Sequence, residues 1–80
     1  MSLIRTFRRR IFYLCNKNDI SINKLSTICG ITPSTLYSII NAENNDPRLS
    51  TIKKICDGLE ITLAQFFDTP EFNNLEQEIK

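Results

Sequence analysis

Apolar residues recur along this chain at three- and four-residue steps, the period of helices with one buried face. Ile4, Phe7, Ile11 and Leu14 mark the first stripe and predict a helix over Leu3–Lys17. Leu25, Ile28 and Cys29 mark a second over Ile22–Cys29, and Leu36, Ile39 and Ile40 a third over Pro33–Asn41. Leu49, Ile52, Ile55, Cys56 and Leu59 share one face of a fourth helix, predicted over 49–59. A short fifth helix is predicted over Leu63–Phe67, opened by the capping box Thr62-x-x-Gln65. Thr69 and Pro70 resemble an N-cap and first helical residue, and Phe72, Leu75 and Ile79 extend the pattern into a sixth helix over 70–79. Between the third and fourth helices the chain turns polar, with Asn44-Asn45-Asp46-Pro47 as a turn cluster.

The segment from Ser21 to Asn41 carries the most information. Ser21 is a good N-cap, because its hydroxyl can accept from a free amide of the first turn. Gly30 ends the second helix, since only glycine enters the left-handed conformation without a Cβ clash. Ile31 plugs the turn, Thr32 caps the next helix, and Pro33 occupies its first position, where a missing N–H costs little. The small Ser26 lets two helices approach, and Gly30 makes the bend between them. This is the steric pattern of a helix-turn-helix, a unit that lays its second helix in the DNA major groove.

The order and spacing of these pieces, from about Arg10 to Phe67, resemble the helix-turn-helix regulators of the phage-repressor, Cro and XRE type. The matching pieces are Arg10-Ile-x-x-Leu14, Ile20-Ser21, Lys24-Leu25, Gly30-Ile31-Thr32, Ser34-Thr35-Leu36, Ile39, Pro47-x-Leu49, Thr51-Ile52-x-Lys-Ile55, Leu59 and Ile61-Thr-Leu-x-x-Phe66-Phe67. The resemblance implies an all-α, five-helix repressor-like domain over residues 1–68, to which residues 69–80 add a short C-terminal helix or tail. It also implies double-stranded DNA as partner, a homodimer, and a transcription regulator, with repression as the expected sense. The rival is a module of the same fold that binds protein partners, as an antitoxin does, and has lost DNA binding.

Charge and composition narrow these readings. The net charge of +1 hides an asymmetry. Residues 1–54 hold nine Lys/Arg against three acids, a net of +6, and residues 55–80 carry a net of −5. A basic body suits a protein that faces phosphate on one side. No histidine is present, and the three cysteines, Cys15, Cys29 and Cys56, contain no CxxC pair. Zinc-finger spacing and histidine catalysis are therefore absent, and no glycine loop could cradle a phosphate. These absences argue against an enzyme, and no cofactor, metal or small-molecule ligand is expected. The cysteines fall on apolar helical faces, as small buried hydrophobes in a reducing cytosol or as redox-sensitive thiols. No apolar run reaches membrane-spanning length, and the expected location is cytoplasmic.

The candidate contacts follow from which side of the third helix faces the core. With Leu36, Ile39 and Ile40 inward, Pro33, Ser34, Tyr37, Ser38 and Asn41 face outward, with Thr35 at the margin. The resemblance makes Ser34, Tyr37 and Ser38 the leading base readers, and Pro33, Thr35 and Asn41 join them as base-contact candidates. Pro33 replaces a glutamine that many relatives direct at adenine, which shifts weight toward DNA shape. Phosphate contacts are expected from Thr32, Lys24, Asn44, Asn45, Arg48 and Lys53. The interval from Leu25 to Pro47 has no Lys or Arg, so helix N-terminal amides must share that task. Arg48 stands where the fourth helix should have its N-cap, and arginine caps poorly.

Further departures from the resemblance concern packing. Cys15 and Ile40 replace a buried Arg–Glu pair of many relatives, an exchange that can be neutral or stabilising. Ile22 replaces a glutamine that relatives often use on phosphate. Glu60 stands where relatives often have glycine. Arg5, Arg8, Arg9 and Arg10 are the densest charge, read as a solvated helix face or as a phosphate-reaching N-terminus. Phe12 and Tyr13 lie off the first apolar stripe. Together with the tail they are expected either to pack within the chain or to form a dimer interface.

Overall fold

A computed structural model describes residues 3–41 and 46–76. These residues form α1 (Leu3–Lys17), α2 (Ile22–Cys29), α3 (Pro33–Asn41), α4 (Leu49–Gly58), α5 (Leu63–Phe67) and α6 (Pro70–Asn73), with no strand among them. The core takes Phe7, Ile11, Leu14 and Cys15 from α1, Leu25 and Cys29 from α2, Leu36, Ile39 and Ile40 from α3, Ile52, Ile55 and Cys56 from α4, and Phe66 from α5. Cys15 and Ile40 are both buried, so the site of the relatives' ion pair is packed with apolar side chains.

The helices are joined by a device used three times. A left-handed residue ends one helix, an isoleucine packs on the core, and a hydroxyl residue follows. The three copies are Asp19-Ile20-Ser21, Gly30-Ile31-Thr32 and Glu60-Ile61-Thr62, with φ of 54°, 69° and 59° at Asp19, Gly30 and Glu60. In each the isoleucine N–H reaches back five residues, Ile20 to the Cys15 carbonyl, Ile31 to Ser26 and Ile61 to Cys56, all at 3.0 Å. The left-handed residue's own N–H reaches back three, to Asn16, Thr27 and Asp57. These paired bonds are the Schellman arrangement, which satisfies carbonyls that a helix end leaves open. Each isoleucine is half-buried and packs on the core cluster. Each hydroxyl then accepts an N–H three residues on: Ser21 from Lys24, Thr32 from Thr35 and Thr62 from Gln65. At Thr62 the box closes, since the Gln65 side-chain oxygen accepts from the Thr62 N–H at 2.9 Å. Turn and start are thus one six-residue unit, and it fixes where three of the helices point.

Several expectations need correction. α4 ends at Gly58 rather than at residue 59, because Leu59 already belongs to the turn around Glu60. Leu49 is 69% exposed, since it enters α4 at its first position, outside the core stripe. Ile28, at a core-like spacing, is 43% exposed near the edge where α2 meets α4. α6 stops at Asn73 rather than at residue 79. The Asn73 side chain donates back to Asp68 Oδ1 at 3.1 Å, and the turn is held by tertiary contact. Thr69 caps it, and the Phe72 ring lies 5.0 Å from Phe67 and 6.2 Å from Phe66. Leu75 follows half-buried, and Ile79 lies outside the described residues. The first turn of the tail therefore packs within its own chain, against α1 and α5, while Phe12 stays 48% exposed.

Two tertiary contacts had no local sequence signal. Arg10 donates from Nε to the Phe66 carbonyl and from Nη2 to the Gln65 carbonyl, both at 2.9 Å, tying α1 to the end of α5. Its guanidinium lies 5.4 Å from the Tyr13 ring centre and 5.9 Å from that of Phe66, within cation–π range. At Gly58, α4 meets α2 so closely that a Cβ would stand 2.5 Å from Cys29 Sγ and 3.2 Å from Cys29 Cα. Glycine there permits the contact of the two helices.

Candidate nucleic-acid interface

The candidate interface is α2, the Gly30 turn and α3. Ser26, fully buried, donates its hydroxyl to the Asn23 carbonyl at 2.7 Å, so its small side chain sits in the helix contact without an orphaned polar group. A Cβ on Gly30 would meet nothing within 4 Å. Glycine is needed there for its backbone angle alone, not for space. Beyond the turn, Thr32 accepts from the Thr35 N–H at 3.3 Å, and the two hydroxyls are 2.8 Å apart.

α3 then divides cleanly. Leu36, Ile39 and Ile40 are buried, and Pro33, Ser34, Thr35, Tyr37, Ser38 and Asn41 are all exposed. All six base-contact candidates thus share the outer surface of one short helix, with Tyr37 its one aromatic, 41% exposed. The Thr35 hydroxyl is engaged by Thr32, which holds it at the helix margin.

Among the phosphate candidates, Thr32, Lys24, Arg48 and Lys53 are exposed, and Asn44 and Asn45 lie outside the described residues. Arg48 occupies the N-cap of α4 in an extended conformation (φ −72°, ψ 147°), and its side chain makes no capping bond. That leaves the first amides of α4 uncapped by this residue, as its identity predicts. Lys53 makes an i,i+4 ion pair with Asp57 at the surface, with both side chains more than half exposed. Such a pair is weak and exchanges readily for another anion.

The three cysteines are free and buried, as expected for small core hydrophobes. Burial, and then the neighbouring Cys15 and Cys56, push the Cys29 thiol up to about 11. Burial also raises Cys15, and burial followed by Asp57 raises Cys56. These thiols stay protonated near neutral pH and are poor nucleophiles. Among the described residues no group of His, Cys, Asp or Glu is arranged to hold a metal ion, and no helix is long and apolar enough to cross a membrane.

This architecture is that of a helix-turn-helix DNA-binding domain. The profile of the Cro/C1-type HTH DNA-binding domain matches residues 10–71, and the chain belongs to that family, a DNA-binding rather than a catalytic one. Among solved structures it is similar to the prophage Lp1 protein 11, with 26% sequence identity and a TM-score of 0.82 over 92% of this chain and 97% of that one. No curated protein matches the chain.

Proposed function

We propose that the protein is a sequence-specific transcription regulator, acting as a repressor and a homodimer, that reads the major groove with α3. The observation that carries this reading is the division of α3. Its inner face is buried in the core, and its outer face presents five polar or small residues and one tyrosine, all exposed, with the Thr35 hydroxyl engaged by Thr32. In this reading Ser34, Tyr37 and Ser38 lead the contacts to base edges, and Pro33, Thr35 and Asn41 join them. Thr32, Lys24, Arg48, Lys53, Asn44 and Asn45 hold the phosphates. A small domain gains stability by dimerising, and a twofold pair would span half-sites one helical turn apart. The similarity to a prophage protein suits a regulator carried by a phage or other mobile element, working in the cytoplasm.

Selection of bound sequences from a random DNA pool, followed by binding at several salt concentrations, tests the reading. Two or three neutralised phosphates per subunit give a dimer a log–log salt slope of about −4 to −5. Tyr37→Ala or Ser38→Ala changes base preference within each half-site, and Arg48→Ala weakens all sequences about equally. A slope near zero on every sequence sinks the proposal. It would favour the alternative of a partner-binding module, which the absence of Lys and Arg between Leu25 and Pro47 supports.

A further inference from the structure

The hydroxyl pair at the start of α3 has a direction that bound DNA would set. Thr32 Oγ1 accepts the Thr35 N–H at 3.3 Å, and Thr35 Oγ1 lies 2.8 Å from it. In the free protein either hydroxyl can donate in this second bond. Both residues are exposed. A hydroxyl has one proton and two acceptor sites. The Thr35 N–H fills one acceptor site of Thr32. If the Thr32 proton goes to Thr35, none is left for a phosphate oxygen. If the Thr35 proton goes to Thr32 instead, the second acceptor site of Thr32 is filled and its own proton is free to point at a phosphate. A phosphate oxygen only accepts, so contact with it selects the second arrangement. Thr35 Oγ1 then keeps lone pairs alone on its open side. Between Leu25 and Pro47 the chain has no Lys or Arg, so neutral hydroxyls and amides must meet the phosphates nearest α3.

Resting on the major-groove reading of α3, we propose that Thr32 and Thr35 form a hydroxyl relay. A phosphate contact at Thr32 fixes Thr35 as a pure acceptor toward the bases and makes it a specificity-determining residue. In the major groove cytosine N4 and adenine N6 offer donors, whereas guanine O6 and thymine O4 offer only acceptors. One position of each half-site therefore takes A or C and rejects G and T. A threonine outside such a relay discriminates poorly, because its proton turns to suit either kind of base edge.

The test is selection of bound sequences from a random DNA pool by the full chain, followed by competition with the selected site changed one position at a time. The expected result is one position per half-site at which A and C compete about tenfold better than G and T. Thr35→Val keeps the shape, removes the hydroxyl and should abolish this preference. Thr32→Ala frees the Thr35 proton, so G and T become acceptable there while other positions keep their preferences. Thr32→Asp separates the relay from general damage. Its carboxylate caps α3 and always accepts the Thr35 proton, but it repels a phosphate. This variant should bind every sequence about tenfold more weakly and still prefer A or C at that position. Circular dichroism verifies folding, and should Thr32→Ala unfold, Thr32→Asp and Thr35→Val carry the test. Selective binding without an A-or-C position that Thr35→Val removes overturns the relay and leaves the major-groove reading standing. So does a Thr32→Ala protein that keeps the preference, or a Thr32→Asp protein that loses it. A wild-type chain that selects no sequence overturns the major-groove reading, and the relay with it.

Discussion

Glu60→Gly should stabilise this protein, although glycine is usually the destabilising choice. Glu60 has φ 59°, within the left-handed region. Its turn repeats the hydrogen bonds around Gly30, with Glu60 N–H to Asp57 at 3.2 Å and Ile61 N–H to Cys56 at 3.0 Å. An L-residue with a Cβ there costs about 1–2 kcal/mol. Glycine removes that cost but loses about 0.5–1 kcal/mol through the greater freedom of its unfolded chain. The difference is a gain of about 0.5–1 kcal/mol. Among the described residues the Glu60 side chain is exposed and makes no hydrogen bond or ion pair, so little is lost with it. For a domain of this size 1 kcal/mol corresponds to about 4–8 °C in Tm.

The assay is urea unfolding of a matched set. Glu60→Gln controls for charge and should change little. Glu60→Asn, which tolerates the left-handed region better than glutamine, should fall between Gln and Gly. Gly30→Ala supplies the mirror experiment. Its Cβ would meet nothing within 4 Å, so its cost, about 1 kcal/mol, is that of the backbone angle alone. Asp19→Gly should gain less than Glu60→Gly, because aspartate enters this region more easily. A destabilised Glu60→Gly together with a silent Gly30→Ala would refute the reasoning, since both follow from one dihedral angle.

Other outcomes follow from the packing. Gly58→Ala should destabilise by about 1–2 kcal/mol despite alanine's helix preference, because its Cβ overlaps Cys29 Sγ; in a double-mutant cycle with Cys29→Ala, part of that cost should vanish, and full additivity would contradict the contact. Arg10→Lys should lower stability by about 1–2 kcal/mol, since lysine cannot bridge the Gln65 and Phe66 carbonyls as a fork does. An unchanged melting temperature would remove that role. For Cys29, whose folded-state pKa is raised, the unfolded chain loses its thiol proton first as pH rises. Its contribution is therefore complete below an ordinary thiol value near 9 and is lost as pH climbs toward about 11. A pH series of unfolding curves should show stability falling across that window, and less steeply in Cys29→Ala.

The parts of this fold legible in the sequence are those whose cause is local. Ser21, Thr32 and Thr62 announce helix starts because a cap bond spans only three residues, and each cap forms. The outward side of α3 was legible because helical period alone sorts Leu36, Ile39 and Ile40 from Ser34, Tyr37 and Ser38. What local rules missed has distant causes. Arg10 reads as one more charge in a basic run, yet its partners lie 55 and 56 residues away. Phe72 fits a helical stripe, but its place beside Phe66 and Phe67 holds a single turn that needs no continuation. Leu49 and Ile28 fit the period and are exposed, because a stripe fixes a direction and not the length over which a neighbour covers it. The three turns lie between these cases. Only Gly30 advertises its left-handed angle; Asp19 and Glu60 adopt the same angle because the isoleucine that follows each is held by the core. Burial of an isoleucine, about 1.5–3 kcal/mol when complete and less when partial, can outweigh the 1–2 kcal/mol of backbone cost. Tertiary packing thus imposes on Glu60 a geometry its own chemistry opposes. The turn that orients α3 carries no such opposition, so the candidate DNA-reading helix is held by the least strained of the three joints.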